Sequence, residues 1–124
     1  MNIALWLLQV LLALAFLAHG LMFLFPPPEI EVLMDASLWK PFRLFLGVAE
    51  VAAGIGLVVP GLMRIKPWLV PLAAALLLPI MVGATVLHVW RGEYGSSVTT
   101  AVLLALLALV AYARSRIIPI AARA

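Results

Sequence analysis

The sequence predicts an all-α integral membrane protein, a four-helix bundle running up-down-up-down. Three observations carry this. The 124 residues are 67% hydrophobic and only 10% charged, whereas a soluble domain is nearer half apolar and a quarter charged. The polar residues fall in clusters and leave four apolar runs, each near the ~20 residues that cross a hydrocarbon core. The connections between runs, roughly 16, 8 and 6 residues, favour antiparallel neighbours. The length fits one domain, 1–124.

The first span is expected over about 3–25, where Pro26-Pro27-Pro28 ends it because proline lacks the donor a helix needs. It has no basic leading region, and its apolar run is too long for a usual signal peptide, so a membrane helix is the better reading. An outer loop, 26–41, follows, long enough for a short amphipathic element with Leu33, Met34, Leu38 and Trp39 dipped into the membrane. The second span is expected over 42–59, stopped by Pro60-Gly61. The third covers 68–90 and the fourth 97–114. Trp6, Trp39, Trp68 and Trp90 fall at or near these ends, as do Tyr94 and Tyr112, in the manner of an aromatic belt. Small residues mark seams for close helix packing: Gly47, Ala49, Ala52, Ala53, Gly54 and Gly56 in the second span, and Ala101, Ala105, Ala108 and Ala111 in the fourth.

Basic residues set orientation. Arg64, Lys66, Arg114, Arg116 and Arg123 share one side with the N-terminus. Lys40, Arg43 and Arg91 share the other with the acids Glu29, Glu31, Asp35 and Glu93. Both termini are therefore expected in the cytoplasm, and the 26–41 and 91–96 loops outside a bacterial inner membrane. The net charge of +3 and isoelectric point of about 10.0 do not argue for nucleic acid, because the basic residues sit singly or in pairs at span ends. With no cysteine, a dithiol centre, an iron–sulfur cluster and a thiolate metal site are excluded.

Polar groups converge on the outer half. Counted at 1.5 Å per residue from the outer ends, Glu50 lies about 12 Å deep, His19 about 9 Å, Thr85 about 8 Å and His88 about 3 Å, with Arg43 and Arg91 at the boundary. Arg43, Gly47, Glu50 and Gly54 share one helical stripe; Met81, Thr85 and His88 form another, and Ala15, His19 and Met22 a third. On the inner half only Gln9 stands out. An ionisable residue inside a membrane costs at least about 2.5–3.5 kcal/mol, so Glu50 is expected to face the bundle interior with a partner. Arg43 is about 10 Å away along its own helix, which makes a histidine from another helix the better partner. For Arg43 and Arg91, snorkelling to the interface is the favoured account; for the small-residue seams it is simple packing.

The stretch FRLFLGVAEVAAGIGLVVPG, followed by AAALLLPIMVGATVLHVWRGE and a last apolar helix ending AYARSR, resembles the DoxX-like family of small bacterial membrane proteins. The AHG of the first span fits as well. Gly47, Glu50, Gly54, Pro60, Met81, Gly83, Ala84, His88, Arg91, Gly92 and Glu93 match its pattern. The resemblance implies a four-helix membrane bundle. It also implies an association with thiosulfate oxidation coupled to quinone, in which a chain without cysteine would need a redox partner subunit.

Two functions follow as expectations. In the first, a polar pocket in the outer half binds a lipophilic small molecule, quinone or lipid, through Arg43, Glu50, Thr85, His88, Arg91 and Met81, as a redox-associated accessory subunit. In the second, Glu50 with His19 or His88 performs acid–base chemistry, isomerase-like, on a lipophilic substrate. Haem b held by His19 and His88 is disfavoured by depths that differ by about 6 Å. No metal site is expected, because two histidines lack a third ligand. A pore would require a homo-oligomer, since four helices leave little room.

Overall fold

The computed structural model describes residues 2–123. Its elements are α1 (Asn2–Leu24), α2 (Pro28–Ser37), α3 (Lys40–Met63), α4 (Leu69–Trp90), α5 (Tyr94–Tyr112) and a π-helical turn (Ala113–Ile117). The four long helices α1, α3, α4 and α5 are each long and apolar enough to cross a membrane. They run antiparallel in sequence order, so α2 and the α4–α5 turn lie at one end and both termini at the other. At the terminal end, the Arg123 N–H donates to Arg64 O at 2.8 Å, and Arg64 Nε donates to Ala121 O at 2.9 Å.

The expected 26–41 loop contains α2. Pro26-Pro27-Pro28 ends α1 and then starts the new helix, because Pro28 falls at a first-turn position where its missing donor costs nothing. Its apolar side is split. Leu33 and Trp39 are exposed, whereas Met34 and Leu38 are half-buried against the bundle. The second boundary also differs. Pro60 lies inside α3, which continues to Met63 and stops at Arg64 in the left-handed conformation, φ 56°. A proline is tolerated there because neighbouring groups in a membrane bundle can re-satisfy the freed carbonyl, and the residue four before it is the small Gly56.

The helices pack as two close pairs, α1 with α3 and α4 with α5, joined mainly through α3 and α4. Without water to drive apolar association, such pairing depends on close van der Waals contact. The α1–α3 pair achieves it at Gly20 and Gly47. A Cβ on Gly20 would meet Gly47 O at 2.9 Å, and one on Gly47 would meet Gly20 O at 3.0 Å. Gly47→Leu is therefore expected to cost about 1–3 kcal/mol by forcing the pair apart. Gly83→Ala, whose Cβ enters open space, is expected to be neutral or stabilising by up to ~1 kcal/mol. Unfolding of both variants in detergent checks the contrast.

The core is asymmetric along the bundle. Leu12, Ala13 and Phe16 of α1, Leu57 of α3, Val70, Ala73, Ala74 and Leu77 of α4, and Leu107 and Val110 of α5 form one apolar cluster with Met81. All belong to the terminal half or the middle. In the half nearer α2, the buried side chains are instead Arg43, Glu50 and Ser97. The two helix pairs therefore close on each other at the terminal end and leave a space between them at the α2 end.

Candidate functional site

That space is a cavity of about 830 Å³. Phe16, His19 and Phe23 of α1 line it, with Phe42, Phe45, Leu46 and Glu50 of α3. From the other pair come Met81, Gly83, Ala84, Leu87 and His88 of α4, and Thr99, Thr100 and Leu103 of α5. Met34, Ser37 and Leu38 reach it from α2. The volume and the mostly apolar wall with a few polar groups are those of a small-molecule site.

Its main polar feature is a pair. Glu50 is 1% exposed, and its Oε1 is hydrogen-bonded to His19 Nδ1 at 2.7 Å. Glu50 owes its burial to the α3 stripe Arg43, Gly47, Glu50, Gly54, which continues through Leu57 and Gly61 and is the buried face of the helix. His19 is placed differently from the expected Ala15–His19–Met22 stripe. The buried face of α1 runs through Gln9, Ala13, Phe16 and Gly20, and Met22 is exposed. Gly20 occupies the point of closest approach, so His19, one position away, reaches sideways to Glu50 and keeps half of its side chain exposed. Its ring lies against Phe23, with centroids 4.4 Å apart. With Nδ1 held by a carboxyl group, Nε2 of a neutral ring is left as an oriented acceptor or base.

The remaining expected residues divide. Thr85 Oγ1 lies 2.7 Å from Met81 O and 2.8 Å from Thr100 Oγ1, so it ties α4 to α5 behind Thr100, which lines the cavity while Thr85 does not. Met81 is 4% exposed and belongs to the apolar floor. His88 also lines the cavity, but its Nδ1 is engaged by Glu93 Oε1 at 2.8 Å on the rim. It is not part of the Glu50 pair. Arg91 Nη2 donates to Ser37 O at 2.7 Å, which ties the end of α4 to α2.

Arg43 departs most from expectation. It does not snorkel: it is 1% exposed. Its guanidinium donates through Nη1 to Phe23 O in the last turn of α1, and Nη2 lies 3.6 Å from Asp35 and 3.9 Å from Glu31. The reason is the helix α2, whose two acids come down over the end of α3 and supply a countercharge that an unstructured loop would not fix. Arg43 thus holds α2 in place over the cavity rather than lining it. Among the described residues, no group of three His, Cys, Asp or Glu side chains is arranged to hold a metal ion.

A further polar cluster lies at the other end of the bundle and was not apparent from the sequence. Arg114 is 2% exposed, and its Nε donates to Gln9 Oε1 at 2.6 Å while Gln9 Nε2 donates to Leu57 O at 2.8 Å. The isolated Gln9 was the available signal, since a buried amide in an apolar helix needs a partner. Trp6, expected in the aromatic belt, is half-buried with Arg114 stacked 5.3 Å from its ring centroid. Trp39, Trp68 and Trp90 are exposed, as a belt requires.

The model of the DoxX-like family matches residues 7–110, from the first span through most of the last, and the chain belongs to that family. No curated protein and no solved structure gives a significant match.

Proposed function

We propose that this multi-pass DoxX-like membrane protein binds a lipophilic small molecule with a polar head, a quinone or a lipid, in the cavity beneath α2. The observation that carries this reading is the buried Glu50, hydrogen-bonded to a half-exposed His19, on the wall of an apolar space of about 830 Å³. A carbonyl or hydroxyl head group would find its hydrogen-bonding partners there, and an apolar ring or chain would lie against Phe16, Phe42 and Leu103. As a quinone site the chain would serve as a redox-associated accessory subunit. With no cysteine, it would depend on a partner subunit for sulfur chemistry. In a bacterial inner membrane, the basic residues at the terminal end favour both termini in the cytoplasm and the cavity in the outer half.

A second reading rests on His19 alone. A carboxyl group on Nδ1 leaves Nε2 directed away from Glu50, the arrangement of an oriented general base. On that reading the protein moves a proton on a lipophilic substrate, as an isomerase does.

Organic extraction of the detergent-purified protein, with a spectrum recorded as isolated and after dithionite, tests the first reading. It expects a stoichiometric quinone or lipid in the extract. The variant Gly83→Phe places a ring in the cavity from a position with no neighbour within 4 Å, and is expected to purify folded with the ligand reduced about tenfold or more. A Soret band would instead assign the cavity to haem. An empty extract, together with no rebinding of added quinone, would refute the reading.

A further inference from the structure

We propose that Arg114 is the anion-binding residue of a second, separate site, which takes the head group of an anionic phospholipid at the terminal end of the bundle. A guanidinium presents five N–H donors. In Arg114, Nε donates to Gln9 Oε1 at 2.6 Å, and Nη1 donates to Asn2 Oδ1 at 2.7 Å and to Ile118 O at 3.0 Å. Nη2 is buried and has no hydrogen-bond partner. Two donors of a buried cation are therefore unused.

Its charge is also unmatched. Glu29, Glu31, Asp35, Glu50 and Glu93 all belong to the α2 half, and among the described residues none forms an ion pair with Arg114. Among the described residues, the other charged side chains at that end of the bundle are Arg64, Lys66, Arg116 and Arg123, all positive. An isolated buried cation is strongly unfavourable, and an anion is what satisfies it. Trp6 on its other face offsets only part of this.

The surroundings select the kind of anion. Arg114 forms part of the wall of a cavity of about 610 Å³, between the first turns of α4 and the C-terminal segment. Trp68, Pro71, Leu72 and Ala75 form its apolar side, with Pro119 across from them in the C-terminal segment. An amphiphile fits this shape, with its phosphate at Arg114 and an acyl chain along α4. Trp68 is exposed at that end of α4, the level of lipid head groups. The nearby cations disfavour a choline head and favour a net negative one. Arg114 also sits in the π-helical turn Ala113–Ile117, a feature that recurs at functional sites.

Native mass spectrometry of the detergent-purified full chain tests this, using phosphatidylglycerol and phosphatidylcholine with the same acyl chains. The expected result is one retained phosphatidylglycerol, preferred over phosphatidylcholine by about tenfold, the size of one charge-assisted interaction. Arg114→Gln is expected to abolish that preference. Ala75→Phe leaves the guanidinium contacts intact and is expected to reduce retention by obstructing the chain, so it carries the test if Arg114→Gln does not fold. Equal retention of the two lipids by the wild type, or phosphatidylglycerol retention unchanged in Ala75→Phe, would overturn the proposal. Displacement of phosphatidylglycerol by excess inorganic phosphate would overturn the lipid assignment in favour of a soluble anion.

Discussion

Removing the two acids that face Arg43 is expected to cost more than removing Arg43 itself. In Glu31→Gln/Asp35→Asn, the guanidinium stays buried at 1% exposure with the Phe23 carbonyl as its only fixed acceptor. Stranding a buried charge typically costs 3–5 kcal/mol. The lower end, about 3 kcal/mol, is expected here, because Asp35 and Glu31 are 42% and 38% exposed and their ion pairs are partly screened. In Arg43→Met the buried charge disappears, the two acids turn to solvent, and the cost falls to about 1 kcal/mol. Both variants release α2, which has no buried residue of its own. Hydrogen exchange over residues 28–37 should accelerate in both, while denaturant unfolding separates their stabilities. A double variant that costs less than Arg43→Met would mean that Arg43 acts mainly as a hydrogen-bond donor to α1.

His19→Phe is the second large effect. It preserves the ring beside Phe23 but leaves the Glu50 carboxyl, whose side chain is 2% exposed, without its partner. An unsatisfied buried acceptor costs about 1–3 kcal/mol. Glu50→Gln, in contrast, keeps an amide oxygen to accept from His19 Nδ1. It is expected to lose only about 0.6 kcal/mol, the average for polar pairs between membrane helices. Ligand binding should fall in both, by about tenfold in Glu50→Gln. Unfolding and binding measured on the same preparations distinguish a pair that merely joins α1 to α3 from one that also receives a ligand. The joining role alone would lower stability without changing affinity.

The sequence was legible where one physical constraint dominated. Membrane crossing needs length and apolarity, so four spans could be placed within a few residues of α1, α3, α4 and α5. The α3 stripe could be read because glycines and charged residues repeat at helical spacing, and no other face of that helix could hold them. The misreadings came from positions where two constraints competed. Pro60 looks like a stop, but the bundle carries the helix past it. Arg43 looks like a snorkelling side chain until α2 brings Asp35 and Glu31 over it, and no local pattern reports that packing. Ala15, His19 and Met22 have helical spacing, yet Gly20 claims the contact with α3. Arg114 reads as one more basic residue of a cytoplasmic tail, since nothing in the local sequence shows that Gln9, 105 positions earlier, would meet it.

The central claim is that the space beneath α2 receives a lipophilic molecule at the Glu50–His19 pair. Its most direct test is equilibrium binding of a short-chain quinone to the purified wild type, Gly83→Phe and Glu50→Gln. The account predicts saturable binding of one quinone per chain in the wild type, its loss in Gly83→Phe, and affinity weakened by about tenfold in Glu50→Gln. Equal, non-saturating uptake by all three proteins would show that quinone partitions only into the detergent, and would contradict it.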